Sequence, residues 1–263
     1  MEYLFVIKFA FVVSFVLFLS ILTDRVGPKY SGFISGLPTG TAITLFFIGL
    51  EISPAFAAQS AIFNLAGMTA MQAFVYLYFR ASNSIKKYTV ALSSLVAAAG
   101  YFITIFLLHA ANLTEIAAIL VPVATTPIFM LAMKSTPEAD VKKPVRLSNA
   151  VLLFRAVVAA SVILFVIWLA PAVGPEFAGL LSAFPTTLFP LMLIVHTTYG
   201  TGVNSALVKN VSKSHFSMLF FSLTIFYAFP VAGVYLGTLL AYAAAGAYLA
   251  LFYAISVSIR KKG

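Results

Sequence analysis

The sequence predicts an all-α, polytopic membrane protein of about nine transmembrane helices, built as two inverted four-helix repeats plus a connecting helix. Three observations predict it. Hydrophobic residues make up 62% of the 263 positions and charged residues 9%, with a mean hydropathy of +1.05, whereas soluble domains run near a quarter charged. Apolar runs of about 20 residues, the length that crosses a bilayer core, alternate with short charged loops. Finally, the stretch GPKYSGFISGLPT, Gly27 to Thr39, returns 147 positions later as GPEFAGLLSAFPT, Gly174 to Thr186. Glycine and proline are costly inside helices, so a pattern of them kept twice marks a duplication.

The predicted spans fall near residues 2–22, 30–50, 59–79, 88–109, 114–133, 149–170, 177–197, 214–229 and 232–256. The first has no basic lead-in and no small-residue cleavage site before Asp24, so it reads as a retained span. Lys209 and Lys213 interrupt the approach to the eighth, leaving 200–213 as a short interfacial helix or a loop.

Loop charge orients the chain. Arg25 and Lys29, then Arg80, Lys86 and Lys87, then Lys134, Lys142, Lys143 and Arg146, then Lys209 and Lys213, and finally Arg260 to Lys262 all fall on one side of a nine-span chain. Glu51, His109, Glu115 and Glu176 fall on the other, without a Lys or Arg. The positive-inside rule then places the N-terminus outside and the C-terminus in the cytoplasm, in a multi-pass cell-membrane protein. The net charge of +9 is this topology signal and not a nucleic-acid surface.

The repeat extends beyond its central stretch. At an offset of 147, Lys8 matches Arg155, Ser14 matches Ser161 and Phe18 matches Phe165; at 146, Ala97-Ala98-Ala99-Gly100 matches Ala243-Ala244-Ala245-Gly246. The predicted organisation is a first repeat over 1–112, a connecting helix and cytoplasmic loop over 113–147, and a second repeat over 148–263. An even-numbered repeat plus one extra helix turns the second copy over. The change from Lys29 to Glu176 fits that inversion.

Each half resembles the GlpM-like family of small, roughly four-span bacterial membrane proteins. The resemblance is carried by Lys8 in the first copy, by Ala178-Gly179-Leu180 and Phe184-Pro185-Thr186 in the second, and by the spacing to Ala243–Gly246. It covers most of 150–256 and, more loosely, 1–110, and departs at Arg155, where Lys is expected, and at the connecting span. It implies the four-span unit and a paired arrangement, and no particular substrate. At the level of architecture alone, transporters and channels descended from dual-topology dimers are analogous.

The candidate site follows from the repeat. Pro38 lies about eight residues into its span, or roughly 12 Å at 1.5 Å per residue, and Pro185 lies equally deep from the other face. Broken helices converging at the midplane mark transporter sites; packing kinks are the plainer alternative. The substrate-binding candidates are Ser35, Pro38, Thr39, Gly40, Thr41, Ser182, Pro185, Thr186 and Thr187, with Lys8 and Arg155 as fixed charges. A charge within a span costs on the order of 3 kcal/mol on insertion scales, and each cation either serves an anion or snorkels to the headgroups. No carboxylate within the spans is expected to pair with them. Gln59, Asn64 and Gln72 either coordinate a substrate or join helices. Ser14 and Ser161 are expected to bond back to their own helices, His196 and His109 to be wetted, and Glu51 to be a solvated loop charge.

No cysteine is present, so thiol chemistry is excluded. H-E-x-x-H, G-x-S-x-G and a phosphate-cradling loop before a Lys are likewise missing from the sequence. Without a general base or metal set an enzyme is not expected, nor is a cofactor or metal. The expected function is a transporter with a midplane site for a small or amphiphilic anion, with a passive channel or a non-transporting scaffold as alternatives. The expected partners are the bilayer and the substrate, not nucleic acid, with the protein a monomer or homo-oligomer.

Overall fold

The protein, seen in a computed structural model, is described over residues 2–25, 37–134 and 148–260. Lys29, Ser35 and most of the first Gly-Pro-Ser stretch, as well as Lys142, Lys143 and Arg146, lie outside the described residues. Within the described residues the chain is all-helical: α1 (Glu2–Arg25), α2 (Thr39–Glu51), α3 (Pro54–Ser84), α4 (Thr89–Ala110), α5 (Glu115–Lys134), α6 (Asn149–Ser182), α7 (Leu188–Tyr199) and α8 (Thr201–Arg260). Five stretches, in α3, α4, α5, α6 and in His215–Ile255 of α8, are long and apolar enough to cross a membrane.

Local chemistry sets the ends and breaks. Ser53 Oγ accepts the Phe56 amide at 3.1 Å and Pro54 occupies the first turn, so α3 starts earlier than its predicted span. Two helices are interrupted by glycine, at Gly174 (φ 79°, ψ 167°) in α6 and Gly233 (φ 75°, ψ 174°) in α8. That backbone region is essentially closed to residues bearing a Cβ. Gly174 falls between two predicted spans, whereas Gly233 is the second residue of the predicted ninth span. Residues 201–214 are the helical first part of α8, neither a loop nor a short separate helix.

The helix starts repeat. Those at 2, 39, 54 and 89 are followed by starts at 149, 188, 201 and, after Gly233, 234, at offsets of 145 to 149. α5 has no counterpart.

α3 is the most connected helix, contacting α2, α4, α5, α6 and α8, while α1 packs against α6. It is the least apolar of the five long helices, at a mean hydropathy of 1.3, and the most enclosed, with 78% of its most apolar window buried against 22–44% in the others. The two facts have one cause. Asn64 and Gln72 on α3 are buried and hydrogen-bonded to neighbouring helices, and polar side chains in a bilayer need protein partners. Leu95, Ile103, Phe106 and Leu107 of α4, and Ile116, Leu120, Ile128 and Leu131 of α5, are exposed, as lipid-facing side chains should be.

Candidate functional site

The two breaks are built alike. Pro38 has φ −78° and ψ 63°, an inverse γ-turn, and the Thr39 amide donates to the Leu37 carbonyl at 2.9 Å. The Ala42 amide then donates to the Pro38 carbonyl at 2.9 Å, opening α2. One repeat later the Thr186 amide donates to the Phe184 carbonyl at 2.7 Å, and the Phe189 amide to the Pro185 carbonyl at 2.8 Å. The predicted seventh span is therefore not continuous: α6 ends at Ser182 and α7 resumes at Leu188.

The breaks also touch. Gly40 lies so close to Thr186 that an added methyl would run into Thr186 Oγ1 and sit 3.6 Å from its Cβ. Thr41 Oγ1 donates to the Ser182 carbonyl at 3.2 Å. Thr186 is the counterpart of Thr39, so equivalent parts of the two copies face each other. Pro38, Gly40, Thr41, Ser182, Pro185 and Thr186 are buried, with Thr39 and Thr187 half-buried beside them. The predicted set is thus brought together, apart from Ser35, which lies outside the described residues, and Lys8.

α3 supplies the floor of this junction. Asn64 Nδ2 donates to Ser182 Oγ at 2.8 Å, and its Oδ1 accepts from Ser222 Oγ at 3.2 Å. Ser182 Oγ in turn donates to the Gly179 carbonyl at 2.7 Å. Close approach makes these bonds reachable: a methyl on Gly67 would lie 2.7 Å from the Leu180 carbonyl, and one on Gly179 would collide with the Ser60 carbonyl. Proline at 185 leaves the Leu181 carbonyl without its usual i+4 amide, and the Phe184 amide donates to it instead at 3.0 Å. The Leu180 carbonyl, which loses that amide, accepts from Tyr101 OH at 2.7 Å, with the Leu181 carbonyl 3.3 Å from the same hydroxyl. Ser222 and Tyr101 are the residues sequence reasoning missed; Pro185 signals disturbed carbonyls, but not which helix brings a donor.

The cations correct an expectation. Lys8 Nζ lies 2.7 Å from Glu51 Oε1, so a carboxylate partner exists, and Glu51 is the last residue of α2 rather than a free loop charge. It was overlooked because it closes a span instead of lying within one. Arg155 reaches the break, its Nε donating to the Thr187 carbonyl at 3.1 Å. His196 is a second correction. It is 7% exposed, and its Nδ1 is 3.0 Å from Tyr78 OH, because α7 packs its end under α3 and does not leave it at the surface. His109 is exposed and meets Phe177 edge-on. Ser161 bonds back to Val157 as expected, and Ser14 is exposed.

A second polar contact joins α3 to the connecting helix: Gln72 Nε2 donates to Thr126 Oγ1 at 2.7 Å, and Thr69 and Thr125 hydroxyls are 3.0 Å apart. Beside it, Met68, Pro122, Val123, Thr126, His215, Phe216 and Leu219 line a small cleft that opens to the surface. That cleft does not reach Pro38 or Pro185, around which the junction is closely packed and polar. The chemistry here is hydrogen bonding by hydroxyls, an amide and break carbonyls, with Arg155 at the second break, and it is read on its own terms: no family model, no curated protein and no solved structure matches this chain.

Proposed function

We propose that this chain is a multi-pass transporter of the cell membrane, with nine spans as two inverted four-helix repeats around α5 and a midplane site for a small or amphiphilic anion. The observation that carries the reading is the contact of Gly40 with Thr186. Copies related by a twofold axis meet where a residue faces its own counterpart, and here the first copy's break meets the second's at near-equivalent positions. A second crossing supports the same axis. Met68 and His215, counterparts at 147, line one cleft, and so does Leu219, the counterpart of Gln72. The Asn64–Ser222 bond supports it too, since Ser222 corresponds to Val75 and the midpoint of 64 and 75 falls at that cleft.

Broken helices paired across such an axis suit alternating access by rocking one repeat on the other. Thr, Ser and Asn hydroxyl and amide groups would bind the cargo's polar end, with Arg155 supplying positive charge at the break. Kinship with GlpM-like proteins belongs to this proposal as its account of the four-span unit. Uptake of a panel of anions into proteoliposomes tests it. The double change Lys8→Ala and Arg155→Ala is expected to lower uptake of the cargo at least tenfold; unaltered uptake of every anion would end the reading. The close packing of the junction favours one other reading, a scaffold or regulatory subunit. For that reading no anion raises the protein's melting temperature, whereas a cargo that binds the folded state does.

A further inference from the structure

The two cations that the repeat makes equivalent are held in opposite ways. Arg155 turns to its own break, donating to the Thr187 carbonyl at 3.1 Å. Lys8 instead pairs at 2.7 Å with Glu51 at the far end of α2, and the two side chains are 17% and 31% exposed. The counterpart of Glu51 is position 198, a threonine. The carboxylate therefore exists in one copy only. In the proposed topology it lies at the outer end, where α1 begins and α2 finishes.

We propose that Glu51 is a tethered counter-ion that latches α1 to α2 at the outer face, so that Lys8 meets an incoming anion only when the pair opens. This rests on the transporter reading and adds the cargo's charge and a sidedness to it. One carboxylate neutralises one ammonium, so the cargo that takes its place is a monoanion. The exchange keeps Lys8 paired throughout, which matters where an uncompensated charge is costly. Thr198, which stands at the matching position of the second copy, cannot supply such a carboxylate latch.

Because the chain has no cysteine, Val12→Cys gives a sole thiol. Val12 is fully buried, one turn further along α1 from Lys8 on a helix that packs against α6, so it is reached only if α1 lifts. Intact cells carrying this variant are treated from outside with a membrane-impermeant anionic thiosulfonate. Adding Glu51→Gln is expected to speed labelling at least tenfold, and the charge swap Lys8→Glu with Glu51→Lys to return it to near the starting rate. Equal labelling with and without Glu51→Gln would overturn the latch. A swap that labels as fast as Glu51→Gln would overturn it as well, since general loosening and not pairing would then set access. Labelling reads access rather than uptake, so the two proposals fail separately. Fast labelling without uptake of any monoanion sinks the transporter and keeps the latch; uptake with unchanged labelling does the reverse.

Discussion

Ser182 is where the buried hydrogen bonds converge, and Asn64 is the group that ties it to α8. Asn64→Ala removes both links and is expected to lower stability by about 1–2 kcal/mol, the range for interhelical polar contacts in membranes, read as a fall in melting temperature in detergent. Glycines at the crossing rank by what opposes them. Gly179→Ala meets a backbone carbonyl, which cannot turn away, whereas Gly40→Ala meets a threonine hydroxyl, which can. Gly179→Ala is therefore expected to cost about 1–3 kcal/mol and Gly40→Ala clearly less, by the same melting measurement. At this scale the sequence was legible for residue type and not for partner. Asn64 stands out in an apolar span, but Ser222 lies 158 positions away, and nothing local points to it. The Lys8–Glu51 pair stayed hidden for the same reason: it joins one helix to the end of another.

Elements are governed by backbone chemistry, which is why they were more legible. Pro185 and Gly174 act on their own few residues, so those breaks lie where the sequence has them, whereas the one at Gly233 falls just inside the predicted ninth span. Gly174→Ala and Gly233→Ala each force a Cβ into a region at φ near 75–79° that only glycine tolerates, and each is expected to cost of order 1–3 kcal/mol. Nothing lies within 4 Å of either added methyl, so a cost seen in thermal unfolding isolates the backbone. Tyr101→Phe keeps the packing and withdraws the donor to the Leu180 and Leu181 carbonyls. Faster amide hydrogen exchange confined to residues just after the break is the expected result, with about 1 kcal/mol lost globally. The start of α3 was misjudged because the cap at Ser53 sits outside the apolar window used to find it.

For the whole molecule, the relation between the copies makes a crosslinking prediction. The 3.6 Å separation from an added Cβ at position 40 to Thr186 Cβ suits a disulfide. Gly40→Cys with Thr186→Cys is expected to oxidise within one chain and to abolish uptake, reversibly on reduction. Impermeant labels on the two termini are expected to react from opposite sides; reaction from one side would refute the nine-span topology. Composition alone made the membrane class legible, because lipid-facing helices must be apolar throughout. The enclosure of α3 was not legible, since lower hydropathy reads equally as a weaker span. Only the packing shows that its polar residues are the reason for its central place.

That central place has a consequence for how the chain is made. The partners of Asn64 lie 118 and 158 residues downstream. At synthesis rates of about 5–20 residues per second, α3 waits roughly 6–30 s for them. During that interval its amide groups face either lipid, at a cost, or a temporary host. The nascent chain thus has a window in which α3 depends on the insertion machinery, and α6 and α8 end that dependence by arriving.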